Sequence, residues 1–186
     1  ASPGAAPLEK PSAPIPFMRG ICWEAAGQVN ALDLGKVARI HASWISQTPF
    51  GWERQLDRPP VQLAKKNYDV YWGESDEGLA ETARLAHARG IKVLLKPHIW
   101  THAGWSGAIA MRNEKDWAEW FESYRKFILH YASLAERCGM EALAVGTELG
   151  GTTSREREWR SIIEDVRKRY HGPLVYCANW AEDLDH

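Results

Sequence analysis

Short apolar runs that alternate with helical stretches constrain this chain more than any other feature of it. The run "IKVLLKP" (91–97) is rich in β-branched residues and leucine and is bounded by Gly90 and Pro97, as a buried strand would be. "MEALAVG" (140–146) and "LVYCANW" (174–180) read the same way. "FMRGICW" (17–23) and "SWISQTPF" (43–50), stopped by Pro49, are further strand candidates. "LDLGKVARIHA" (32–42) is weakly helical, and "DEGLAETARLAHARG" (76–90) is helical with Ser75 as N-cap and Gly90 closing it. From Glu114 to Arg137 runs a long helix that starts at Asn113 and ends at Gly139. Its Trp117, Trp120, Phe121, Tyr124, Phe127, Ile128 and Tyr131 recur at spacings of three and four, a core stripe. "SREREWRSIIEDVRKRY" (154–170) turns Trp159, Ile162, Ile163 and Val166 inward and is stopped by Gly172 and Pro173.

Five near-continuous apolar strands separated by helices predict an α/β fold, a parallel sheet covered on both faces. Each strand ends in reactive or aromatic groups: Trp23 and Glu24; Thr48, Phe50 and Trp52; Lys96, His98 and Trp100; Thr147 and Glu148; Asn179 and Trp180. Parallel strands bring those ends to one face, where a (β/α) barrel builds its active site. No GxGxxG or GxxxxGK[ST] follows a strand, which weighs against a nucleotide-binding open sheet.

Composition excludes several classes. Net charge is -1 with no basic block, so a nucleic-acid surface has no support. No apolar run reaches the roughly 18–20 residues of a membrane span. The cysteines Cys22, Cys138 and Cys177 form no CxxC pair, against a zinc knuckle or disulfide framework. Ten tryptophans suit either a core or sugar stacking. Residues 1–16, rich in Ala, Pro and Ser, are expected to be a disordered leader or linker after a cleaved export signal, or simply an arbitrary start; residues 17–186 form the folded part. A removed signal implies a secreted, periplasmic or cell-surface protein.

Glu148 stands directly after a buried strand, in "AVGTELGG". It either balances the following helix dipole or does chemistry. Thr153 and Glu156 have the T-x-x-E spacing of a capping box for that helix, which favours chemistry. Glycoside cleavage needs two carboxylates, one to protonate the leaving oxygen and one to attack the sugar or activate water. Apolar walls favour a protonated acid, and Trp100 and Trp180 are candidates to supply them while stacking on sugar rings. Glu24, beside Trp23, either binds sugar hydroxyls or pairs with Lys96. His98 and His102, four apart, would share a metal only on a helix; Pro97 and Gly104 predict a loop, with His98 bonding substrate and His102 in a rim or structural role. Neither a metal nor a cofactor is expected.

The ordered motifs "GICWE", "ISQTPFGW", "VLLKPHIW", "AVGTEL" and "YCANW" resemble glycoside hydrolase family 113 and its relatives in glycosidase clan A, from about Phe17 to the chain end. The resemblance implies a (β/α)8 TIM barrel with β-1,4-mannanase activity and a retaining mechanism. It makes Glu148 the general acid/base at the end of the fourth barrel strand. It implies substrate contacts from Lys96, His98, Trp100, Asn179 and Trp180, and the strand-end residues Trp23, Glu24 and Trp52 are further candidates for substrate contact. In the clan an Asn before the acid/base bonds the sugar 2-OH; here Thr147 takes that place. The family nucleophile, a Glu, ends the seventh strand, whereas this chain reaches His186 after about five. The nucleophile and the C-terminal half of the barrel are therefore expected beyond this chain, and the chain alone is expected to associate through its exposed edges. The alternative is a non-catalytic carbohydrate-binding or assembly module on a partial barrel. Metal-dependent hydrolysis through His98 and His102 is a third reading. Oligo- or polysaccharide is the expected partner.

Overall fold

A computed structural model describes residues 17–63 and 71–180, so the leader lies outside the described residues. Strand β1 (Gly20–Trp23) leads into helix α1 (Ala31–Arg39), β2 (Trp44–Gln47), β3 (Phe50–Glu53) and β4 (Gln62–Leu63). Helix α2 (Asp76–His87), β5 (Lys92–Leu95) and β6 (His98–Thr101) follow, then α3 (Glu114–Arg137), β7 (Ala142–Thr147), α4 (Glu156–Arg167) and β8 (Leu174–Cys177). Strands β1, β2, β5, β7 and β8 form one sheet in that order, every neighbouring pair parallel. The strands read from the sequence are the strands of this sheet, an α/β arrangement in the form of a partial barrel.

A second, smaller sheet, ordered β4-β3-β6, was not foreseen. Its origin is a pair of prolines. Pro49 and Pro97 lack the N–H that a ladder requires, so β2 and β5 both break there and resume as β3 and β6. Lys96 N donates to Gln47 O at 2.8 Å below the break, and His98 N to Pro49 O at 3.0 Å across it. The resumed pair stays parallel, Phe50 opposite His98 and Trp52 opposite Trp100. The stretch after Pro97, expected as loop, is thus strand as far as Thr101.

The helices cover the sheet with the residues their periodicity assigned. All seven members of the α3 stripe are buried, and Trp120 stacks on Tyr124 at 5.0 Å. From the sheet they meet Ile45, Val93, Leu95 and Leu143, all fully enclosed, in one apolar cluster that also takes in Leu79 and Ile162. Burying such a side chain contributes about 1.5–3 kcal/mol. β7, central enough to be covered on both faces, has six buried residues, whereas the edge strands β1 and β8 are partly exposed.

Capping follows the sequence with one exception. Asn30 and Asp33 form a reciprocal box at α1, Ser75 Oγ accepts from Gly78 N at 3.1 Å, and Asn113 Oδ1 accepts from Asp116 N at 3.0 Å. The box expected from Thr153 and Glu156 does not form. Residues Gly150–Thr152 wind into a 3₁₀ turn that ends at Thr153, so α4 starts later, with Arg155 as its cap residue and no side-chain cap bond. Thr153 Oγ1 instead donates to Gly150 O at 2.9 Å, and Glu156 accepts from Arg160 at 2.7 Å.

Glu53 ends β3 inside the apolar cluster, 2% exposed. Trp120 Nε1 donates to its Oε2 at 3.0 Å, and its Oε1 has no partner among the described residues. Burial pushes this carboxyl from an ordinary 4.5 up to about 7, with the Trp120 bond opposing. Between those values the unfolded chain releases the proton and the folded chain keeps it. The group's stabilising contribution is therefore full below pH 4.5 and lost as pH rises through about 7. Glu53→Gln keeps an acceptor for Trp120 and cannot ionise. Urea unfolding at pH 4 and pH 8 should show the variant gaining on the wild type by on the order of 3 kcal/mol between the two; a gap independent of pH would mean that Glu53 titrates normally.

Candidate active site

The site is built outward from β7. Its pairing with β8 slips between Ala144 and Gly146, which face Val175 and Tyr176 and leave Val145 as a bulge. The Val145 carbonyl accepts from Tyr124 Oη of α3 at 2.8 Å. A Cβ on Gly146 would lie 2.9 Å from the Tyr176 ring, so only glycine lets that ring cross the strand. Tyr176 Oη then accepts from Leu149 N at 2.9 Å, and Glu148 N donates to Cys177 O at 2.8 Å. Between these anchors Glu148 sits at φ +52°. This left-handed conformation costs a side chain such as Glu about 1–2 kcal/mol and persists only where neighbours over-determine it.

The Glu148 carboxylate meets the loop after β6. Trp105 Nε1 donates to Glu148 Oε2 at 2.9 Å. Ser106 Oγ lies 3.4 Å from the Glu148 carbonyl oxygen and 3.3 Å from His98 Nε2. Burial holds the His98 imidazole below its ordinary 6.5, opposed by the charge of Glu148 and assisted by that of Lys96, so the ring is neutral at pH 7. Among the described residues the Glu148 carboxylate thus bonds to another loop and not to α4, and helix capping does not explain it.

Beyond the ends of β1 and β2 lies a cleft of about 770 Å³. Trp23, Phe50, Trp52 and Trp100 wall it and Glu24 and Glu74 supply its acids. Trp100 stands edge-on to Phe50 at 6.1 Å and to Trp52 at 6.2 Å, so the proline-broken extension of the strands is what raises the aromatic wall. Glu148 is not part of that wall. The two regions meet at Phe50, whose ring lies 5.7 Å from that of His98, and His98 leads through Ser106 to Glu148.

The remaining residues singled out in the sequence fall as follows. Lys96 forms no ion pair with Glu24 among the described residues; its Nζ points to Cys22 Sγ at 4.0 Å. Glu24 instead acts on Glu74, whose carboxyl is raised by burial first and by the Glu24 charge second. Thr147 is buried, and its Oγ1 donates to Pro97 O at 3.0 Å, so its proton is committed within the protein. His102 lies against Trp52, 5.8 Å between rings, while His98 faces Phe50; among the described residues no group of three or more His, Cys, Asp or Glu could hold a metal. Asn179 is half-buried just past β8, and Trp180 is 96% exposed. The indole that bonds to the acid among the described residues is that of Trp105. Sequence reasoning missed Trp105, Ser106 and Glu74, which lie on loops and single turns without periodicity. The Trp-Ser-Gly run beside the conspicuous His98 was the only available signal.

The family model for Glycoside Hydrolase Family 113 matches residues 26–185. Among solved structures, the GH113 β-mannanase AaManA from Alicyclobacillus acidocaldarius, in complex with ManMIm, is 30% identical with a TM-score of 0.79. That match covers 89% of this chain and 56% of the enzyme. A GH113 β-1,4-mannanase complex is 25% identical with a TM-score of 0.76, over 90% of this chain and 57% of that one. A further GH113 β-1,4-mannanase, also 25% identical, has a TM-score of 0.71 over 87% and 55%. The chain therefore spans little more than half the length of these structures. No curated protein matches it.

The backbone at Glu148 yields a direct test. Asn tolerates the left-handed region better than Glu, so Glu148→Asn should melt at or above the wild-type temperature, with a gain of up to about 1 kcal/mol. Differential scanning calorimetry decides it. A clear drop would mean that the carboxylate holds the fold together.

Proposed function

The chain belongs to glycoside hydrolase family 113, and from that premise we propose that it contributes the acid half of a retaining glycosidase acting on β-linked mannan. Glu148 is the general acid/base, first giving its proton to the glycosidic oxygen and then taking one from the incoming water. A second carboxylate, supplied beyond the fifth sheet strand, attacks the anomeric carbon; retention places the two about 5–5.5 Å apart. The observation that carries this reading is the Glu148 carboxylate, held by Trp105 at 2.9 Å on a strained backbone at the open end of a buried strand. Strain of that kind gathers at functional sites.

The aromatic cleft supports a sugar polymer as substrate. Indole and phenyl faces stack on the apolar faces of hexoses, and Glu24 and Glu74 can accept hydrogen bonds from their hydroxyls. Endo-β-1,4-mannanase action is the finer form of the proposal, supported by the names of the similar structures. Polymeric mannan does not cross a membrane, so the same proposal places the enzyme outside the cytoplasm.

Glu148→Gln in the full-length protein tests it. Hydrolysis of unactivated manno-oligosaccharides should fall by at least about a thousandfold, while tryptophan fluorescence should still report their binding. Unchanged turnover would remove Glu148 from the chemistry. A wild-type protein that binds without cleaving would be a carbohydrate-binding module instead.

A further inference from the structure

Trp105 combines features that neither a core residue nor a free sugar platform would share. It is 45% exposed, yet its Nε1 is committed to Glu148 Oε2. The indole rests on a seat made for it: a Cβ on Gly107 would lie 2.3 Å from the ring. The loop that carries it is closed by Thr101 Oγ1 donating to Gly104 O at 2.6 Å. That loop is also clamped to the turn after Glu148, where a Cβ on Gly151 would lie 2.4 Å from the Ile109 carbonyl oxygen. Acid and indole therefore sit on two backbone segments in direct contact.

We propose that Trp105 is a positioning residue for the acid, fixing which carboxyl oxygen delivers the proton. The inference rests on the reading of Glu148 as the acid/base. With Oε2 accepting from the indole, the acid proton resides on Oε1. In the glycosylation step the Oε1–H bond breaks and its proton passes to the glycosidic oxygen. The C1–O bond breaks with its electron pair on that oxygen, as the nucleophilic carboxylate bonds to C1. Glu148 becomes negative in this step, so the indole N–H bond strengthens toward the transition state. An interaction stronger there than in the ground state accelerates the reaction and does not merely tighten binding.

Trp105→Phe removes the N–H and keeps an aromatic ring, and Gly107→Ala dislodges the ring from its seat without touching Glu148. Both are tested in the full-length protein through kcat/KM on two substrates. One is an unactivated manno-oligosaccharide; the other is an aryl β-mannoside whose nitrophenolate leaves without protonation. Both variants should lose about ten- to a hundredfold on the first substrate and little on the second. The indole N–H resonance missing from Trp105→Phe should also shift in Glu148→Gln. Equal losses on both substrates, or none on either, would overturn the inference. The dependence of Glu148→Gln itself on the leaving group separates the two readings. If it has none, the acid/base assignment fails; if it has one and Trp105→Phe does not, only the role of Trp105 fails.

Discussion

A parallel strand can follow another parallel strand only after the chain has crossed back over the sheet. Everything functional in this protein depends on that constraint. Each crossing is made by a helical segment, and each return starts from the same end, so residues after β1, β2, β5, β7 and β8 collect on one face. Glu24, Lys96 and Glu148 are remote in sequence and become neighbours of one surface for that reason alone. The prolines then act on this arrangement. Because β2 and β5 are adjacent and both are interrupted, at Pro49 and Pro97, the pair rises past the sheet together as β3 and β6. It carries Phe50, Trp52, His98 and Trp100 with it.

Two acids placed inside or beside the core occupy positions that cost the fold stability. Glu148 occupies a backbone conformation that its side chain disfavours, and Tyr176 and Cys177 of the neighbouring strand hold it there. Glu53 is enclosed with one hydrogen bond and an oxygen that has no partner among the described residues. The two differ in consequence. The strain at Glu148 lies at the open end of the sheet, where the proposed acid/base role would draw on it. Glu53 is enclosed at the end of β3, where burial raises its carboxyl and no chemistry of its own is evident.

The local code was readable wherever one period ran long enough. The α3 stripe from Trp117 to Tyr131 is buried residue for residue, because a 24-residue helix averages out any local ambiguity. The caps at Asn113 and Ser75 were legible because each needs one side chain at one spacing. The Thr153–Glu156 box had the same spacing and failed, since a 3₁₀ turn at Gly150 moved the helix start. A capping motif states which residues could close a helix and not where the helix begins. Trp105 was invisible for a related reason: its loop has no period, and its partner lies 43 positions away.

The sequence alone determined the five strands of the main sheet, the helices between them and the placing of Glu148 at the exit of a buried strand, because each rests on contacts within one segment or on the one-way logic of parallel crossings. It also carried the motif order that marks family 113. Only the tertiary structure decided what surrounds that acid. The indole donor from Trp105, the left-handed backbone at Glu148, the turning of the Thr147 hydroxyl to Pro97 and the closeness of Glu24 to Glu74, whose charges repel, all arise between segments far apart in the chain. A hydrogen bond is set by a few tenths of an ångström and an angle, and those are fixed only once the sheet has brought the loops together.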